Sequence, residues 1–264
     1  MNDTKFNIAV LIDGDNAQAK LIKEFIEEVS KYGKATIRRI YGDWTTPQMN
    51  SWKEIINQYS INPIQKFSYT TGKNSTDSSL IIDAMDILHG QTVDGFCIVS
   101  SDSDYTGLAK RIREEGLFVM GIGRRTTPIA FVNSCEIFTF SENLLSEIEL
   151  TSEKIVEKVE KKELEITDSK PKRKTKKAVE KIEQKKGFPR IDIAIVNKAF
   201  DISTNEEEEV SIAKIGSSLR KIDPSFDSRT YGFKTLTHLF ESLNKYIVVK
   251  NEVNGLNHPL VKLK

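Results

Sequence analysis

The chain has 264 residues, more than one domain of roughly 150 residues holds, so two domains are expected. Its 39 basic and 38 acidic residues leave a formal charge of +1, which excludes a generally polybasic binder and makes any nucleic-acid surface a local one. With 38% hydrophobic and 29% charged residues, no uninterrupted apolar run approaches the roughly 20 residues that span a bilayer, so no membrane association is expected. Met1-Asn2-Asp3-Thr4-Lys5 lacks the basic, apolar and small-residue succession of a leader, and the expected compartment is the cytoplasm. Cys97 and Cys135 belong to no CxxC and have no nearby histidine, which argues against a disulfide framework or structural zinc.

In chain order, residues 6–12 read as a strand, 17–32 as a helix with Gly33 at its C-cap, and 35–41 as a second strand. Residues 47–59 form a helix with proline in its first turn, and 64–67 a short third strand. A helix over 78–88 closed by Gly90, a strand over 96–100 and a helix over 105–115 ended by Gly116 follow, then strands over 118–122 and 137–140. Alternating strands and helices predict a doubly wound parallel α/β sheet covered on both faces.

Residues 151–187 are rich in Lys and Glu and culminate in Lys170-Pro171-Lys172-Arg173-Lys174-Thr175-Lys176-Lys177. So little apolar surface does not offset the entropy of ordering, which makes this stretch a basic linker. Helical periodicity returns over 191–200, 212–222 and 233–243. Residues 246–253 and 256–263 then flank Asn254-Gly255, a pair suited to a type I′ hairpin turn, with Pro259 compatible with an edge strand. Three helices and a hairpin outline a small winged helix. The expected organisation is therefore a domain over 1–150, a linker over 151–187 and a second domain over 188–264.

Two strands end in acids. Val10-Leu11-Ile12 leads into Asp13-Gly14-Asp15-Asn16, and Ile98-Val99-Ser100-Ser101 into Asp102-Ser103-Asp104-Tyr105. Each motif alone also reads as turn chemistry, with Asn16 or Asp104 capping a helix. With a strand order of 3-2-1-4-5, however, strands one and four are neighbours at the topological switch point, where open α/β sheets bind ligands. Asp13, Asp102 and Asp104 then converge on one crevice. Asp77 opens a helix that also carries Asp83 and Asp86, for which a solvated face is the expected role. Clustered carboxylates need a cation, and oxygen ligands without histidine or cysteine suit Mg²⁺ or Mn²⁺. Phosphodiester hydrolysis is the chemistry these residues suggest. His89, His238 and His258 are scattered and support no histidine-based triad.

The combination of Leu11-Ile12-Asp13-Gly14-Asp15-Asn16, Lys73 with Asp77, and Ser100-Ser101-Asp102-Ser103-Asp104-Tyr105 resembles the NYN domain family, PIN-like nuclease relatives that include LabA-like bacterial proteins, over about residues 5–145. The resemblance implies a PIN-like sandwich that cleaves RNA with Mg²⁺ or Mn²⁺. Asp13, Asp77, Asp102 and Asp104 would be the catalytic and metal-site acids, Asn16 and Ser101 their support, and Lys73 a phosphate contact. Ser101 stands where the family commonly has glycine, and Asp15 adds an acid.

Asp227-Ser228-Arg229-Thr230-Tyr231-Gly232-Phe233-Lys234-Thr235-Leu236 resembles the core of the LOTUS, or OST-HTH, domain, over about 188–264. That implies a winged helix associated with single-stranded or structured RNA and, in some members, with protein partners. Arg229, Tyr231 and Lys234 are its candidate RNA contacts. Arg124 and Arg125 after the fifth strand, with Trp44 and Tyr69 in loops, are candidate phosphate and base contacts beside the acids.

The leading reading is a metal-dependent ribonuclease with an RNA-recruiting second domain. The alternatives are a non-catalytic RNA-binding or scaffolding protein that retains the acidic pocket, and a phosphatase of the haloacid-dehalogenase type suggested by Asp13-Gly14-Asp15. The last lacks the expected Thr or Val at Ala17 and a clear downstream lysine. RNA or DNA preference, internal or terminal cleavage, and one or two metal ions stay open.

Overall fold

The computed structural model describes residues 6–67, 75–145, 188–204, 209–253 and 256–264. Lys73, Tyr69, the expected linker over 151–187 and the Asn254-Gly255 turn lie outside them. The chain divides into two compact units, one of residues 1–144 with 223–226 and one of residues 145–222 with 227–264.

The first unit runs β1 (Asn7–Asp13), α1 (Ile22–Ser30), β2 (Lys34–Gly42), α2 (Asn50–Gln58), β3 (Asn62–Gln65), α3 (Ser75–His89), β4 (Gly95–Val99), α4 (Thr106–Glu114), β5 (Phe118–Gly123), α5 (Ile129–Ser134) and β6 (Ile137–Phe140). A further helix, α6, is described over 141–145. The six strands form one parallel sheet in the order β3-β2-β1-β4-β5-β6, as a doubly wound α/β fold requires. β1 lies inside the sheet and Ile8–Ile12 is wholly buried, which is why this strand reads as an unbroken apolar run rather than an alternation. Leu80 and Ala84 of α3, Leu108 and Ile112 of α4 and Phe131 of α5 close over Leu11, Phe96 and Ile98. Their spacing of four residues is the helical repeat that marks one buried face.

Several elements differ from expectation. Short 3-10 turns at Ala19–Leu21, Pro47–Met49 and Ser103–Tyr105 precede α1, α2 and α4 where continuous helices are expected. α5, with six residues, is too short to show a period. Gly33 is not the C-cap of α1, which ends at Ser30 with Lys31 as cap. It is required because an added Cβ would sit 2.4 Å from the Phe6 carbonyl oxygen. Asp83 does not lie on a solvated face. Its carboxylate accepts from the Arg39 guanidinium and the Tyr41 hydroxyl, because the phenol of a fully buried strand-end tyrosine needs an acceptor and α3 supplies it. Asp86 is exposed, as expected.

The second unit contains α7 (Ile193–Ser203), β7 (Val210–Ser211), α8 (Ile212–Ile222), α9 (Leu236–Ser242), β8 (Tyr246–Val249), β9 (Glu252–Val253), β10 (Leu256–Asn257) and β11 (Leu260–Leu263). β8 and β11 pair antiparallel and the hairpin continues through β9 and β10, as the flanks of Asn254-Gly255 predict. β7 joins the outer side of β11, a two-residue strand with no sequence signal of its own. Val196, Phe200, Leu219, Leu239, Phe240 and Val261 form the buried centre. The rings of Phe200 and Phe240 each lie 5.1 Å from that of Tyr246.

In the Tyr231-Gly232-Phe233 motif the glycine has a structural cause. Gly232 ends the turn Ser228–Tyr231 at φ 81°, with its N–H on the Arg229 carbonyl. An added Cβ would lie 2.8 Å from Phe188. Gly232→Ala is expected to destabilise the second unit by about 1–3 kcal/mol, read as a lower midpoint in chemical denaturation.

Candidate active site

β1 and β4 are adjacent and parallel, with Ile12 beside Val99, so Asp13 and Ser100 emerge side by side at the carboxyl edge of the sheet. Asp13 is fully buried. Its Oδ2 accepts from Asn16 Nδ2 at 2.7 Å and Ser100 Oγ at 2.8 Å, and its Oδ1 from the Asp15 N–H at 3.2 Å. Burial pushes the Asp13 carboxyl above its ordinary range, while the bonds from Asn16 and Ser100 pull it down. Ser100 Oγ also accepts from the Asp102 N–H at 3.1 Å. One buried hydroxyl thus ties the end of β1 to the loop after β4.

That loop turns tightly. Asp102 caps the short helix Ser103–Tyr105, its Oδ1 accepting from the Asp104 N–H at 2.9 Å. Asp77 reaches the same place from the first turn of α3, where its Oδ1 accepts from the Tyr105 hydroxyl at 2.7 Å. Carboxylate oxygens of Asp77, Asp102 and Asp104 lie within 4.8 Å of one another. Asp13 is not one of these three, yet its charge reaches Asp77. The Asp77 carboxyl is raised first by burial and then by Asp13, Asp102 and Asp104, against the opposing bond from Tyr105. Three carboxylate oxygens crowded in this way suit a hard divalent cation, whose charge would offset their repulsion.

Beside the acids, the Arg124 N–H donates to Ser101 Oγ at 2.9 Å, and its guanidinium reaches the Asn16 carbonyl at 3.4 Å while remaining exposed. These residues line a small surface cleft together with Ser100, Gly123 and Ser141. Arg125 turns elsewhere. Its backbone donates to Glu142, its guanidinium to buried Asn143 at 3.0 Å, and it lies 6.0 Å from the Phe140 ring centre. Trp44 is held through its indole N–H on the Ile64 carbonyl.

In the second unit Arg229 is gripped by Asp227, with Nε at 3.0 and 2.9 Å from the two carboxylate oxygens and a terminal nitrogen at 2.6 Å. Tyr231 is half-buried and Lys234 exposed. The structure therefore brings Asp13, Asn16, Asp77, Ser101, Asp102, Asp104 and Arg124 to one sheet edge. It commits Arg125 and Arg229 to internal partners.

Two residues at the site escape sequence reasoning. Ser100 is overshadowed by the acids that follow it, although a hydroxyl directly after a buried strand is a usable signal. Tyr105 is 28 residues from its acceptor, and no local pattern links them.

The chain belongs to the NYN domain family, whose match covers residues 7–145. An OST-HTH/LOTUS domain, a type associated with RNA binding, matches residues 170–258. The NYN domain is part of the PIN-like nuclease superfamily, whose members generally use divalent metals. Among solved structures, a protein of unknown function from Vibrio parahaemolyticus is similar at 20% identity and a TM-score of 0.45, over 53% of this chain and 96% of that one. An uncharacterized protein from Nitrosomonas europaea is similar at 27% identity and a TM-score of 0.25, over 37% of this chain and 92% of that one. No curated protein matches the sequence. No helix among the described residues is long and apolar enough to cross a membrane.

The raised Asp77 carboxyl has a consequence for stability. A carboxyl whose pKa is higher in the folded than in the unfolded chain stabilises the fold below its ordinary value of 3.8, and that contribution is lost as pH rises through the raised value. Asp77→Asn cannot ionise. In metal-free buffer its melting temperature is expected to fall less than that of the parent as pH rises from 3.8 toward neutrality. Melting curves across this range check it.

Proposed function

We propose that the chain is a metal-dependent ribonuclease in which the NYN unit hydrolyses RNA phosphodiester bonds and residues 188–264 hold the RNA. The observation that supports this most directly is the meeting of Asp77, Asp102 and Asp104 within 4.8 Å at the carboxyl edge of the sheet. With Asp13 behind them, these are the residues that would hold Mg²⁺ or Mn²⁺. Such an ion lowers the pKa of a coordinated water and balances charge on a scissile phosphate.

The chain's own side chains supply the framework. Asn16 and Ser100 favour the charged form of Asp13, and Ser101 fixes the backbone that presents Arg124. The exposed Arg124 guanidinium takes a phosphate neighbouring the scissile one, and Lys73 takes another from the segment before α3. Arg125 shapes this edge through Asn143. In the second region exposed Lys234 contacts phosphate, while Arg229 and Tyr231 set the turn that precedes it. The basic stretch at 170–177 adds sequence-independent attraction to RNA. A protein partner of the OST-HTH/LOTUS domain and a cytoplasmic site of action belong to the same reading.

The test incubates the full chain with labelled single-stranded RNA or matched DNA in Mn²⁺, Mg²⁺ or EDTA, beside an Asp13→Asn, Asp102→Asn double variant. RNA cleavage that requires metal and vanishes in the variant is expected. RNA that is bound but left intact by the parent chain in every metal would overturn the nuclease and leave an RNA-binding scaffold. Arg124→Ala is expected to weaken RNA binding and to lower the slope of log affinity against log salt by about 1, as loss of one phosphate contact does. Binding titrations at several salt concentrations check this.

A further inference from the structure

The three clustered acids are held in different ways. Asp102 and Asp104 belong to one tight loop, fixed by backbone N–H bonds from Asp104 to Asp102 and from Asp102 to Ser100. Asp77 comes from a separate element, the start of α3, and its loop neighbours repel it. Among the described residues its carboxylate has a single protein donor, the Tyr105 hydroxyl at 2.7 Å on Oδ1.

Tyr105 is suited to hold a carboxylate in place. It is the last residue of the short turn that carries Asp104, it is fully buried, and its ring centre lies 6.3 Å from that of Phe131. Its hydroxyl carries one proton, and the Asp77 carboxylate 2.7 Å away is the acceptor that receives it. A phenylalanine would fill the same space in the core. The hydroxyl is therefore the one atom of this side chain that packing does not explain.

We propose that Tyr105 is a positioning residue for the acidic centre: its hydroxyl, bonded to Asp77 Oδ1, holds that carboxylate beside Asp102 and Asp104, with which it would share a divalent cation. This rests on the metal-centre reading given above. Without that bond, repulsion from Asp102 and Asp104 turns the Asp77 carboxylate away, and the cation loses one of the three carboxylates that would hold it. Tyr105 touches neither the cation nor RNA, so its effect passes wholly through Asp77.

Tyr105→Phe in the full chain tests this. The ring stays packed, and Asp77 is only partly buried, so water replaces the lost donor and folding is retained. Mn²⁺ affinity is read from the EPR signal of the free aqueous ion. The expected result is a dissociation constant raised about tenfold, the usual scale for loss of a group that orients a metal ligand, with the metal-free melting temperature little changed. In an Asp77→Asn background the same substitution is expected to add no further loss. The Mn²⁺ concentration for half-maximal cleavage should rise while KM for RNA at saturating Mn²⁺ stays constant.

An unchanged Mn²⁺ affinity in Tyr105→Phe overturns the inference while leaving the metal centre standing. So does an equal loss in the Asp77→Asn background, which would show that Tyr105 acts through something else. A parent chain that binds no Mn²⁺ overturns the metal centre itself and the role of Tyr105 with it.

Discussion

Carboxylates at the edge of a buried parallel sheet face two opposing demands: they must stand close enough to share a ligand, and burial and mutual repulsion both disfavour their charge. The structure answers with hydrogen-bond donors. Ser100 is the central one, donating to Asp13 and accepting from the Asp102 backbone, so the ends of β1 and the β4 loop are set against each other by one buried hydroxyl. Asn16 adds a second donor to the same Asp13 oxygen. The rest of the site is arranged around this junction.

α3 brings the remaining acid, and its placement rests on polar ties at two levels. Asp83 is held by Arg39 and Tyr41 of β2, which fixes the helix against the strand next to β1. Asp77, six residues earlier in sequence and in the first turn, is held by Tyr105. The apolar stripe of Leu80 and Ala84 sets which face of α3 meets the sheet. Apolar packing tolerates small shifts along a helix axis, whereas a hydrogen bond of fixed length does not, so the polar pairs define where the carboxylate ends up.

The second unit shows how a family motif divides between structure and surface. Gly232 is demanded by a left-handed turn against Phe188, and Arg229 by its grip on Asp227 in the same turn. Lys234 projects from the same motif into solvent. Motif residues thus serve first to build the turn. The charge available to a phosphate comes from the residue that the turn presents.

Much of the first unit was legible in the sequence. The apolar runs ending in Asp13 and before Asp102, and helices spaced between strands, predict a parallel sheet, because strand burial leaves a local imprint on residue type, whereas β1 beside β4 follows only from an assumed switch-point order. The hairpin about 254–255 was legible for the same reason in its flanks. The short α5, the two-residue β7 and the 3-10 turns were not, since fewer than two helical turns carry no period. Nor were the commitments of Asp83, Arg125 and Arg229, which spacing alone leaves as solvated charges. The sequence by itself determined which acids stand at the ends of strands and helices. Only the tertiary structure decided which of them meet and which donors hold them, because those bonds join residues such as Tyr105 and Asp77, or Ser100 and Asp13, whose proximity exists only once the sheet has formed.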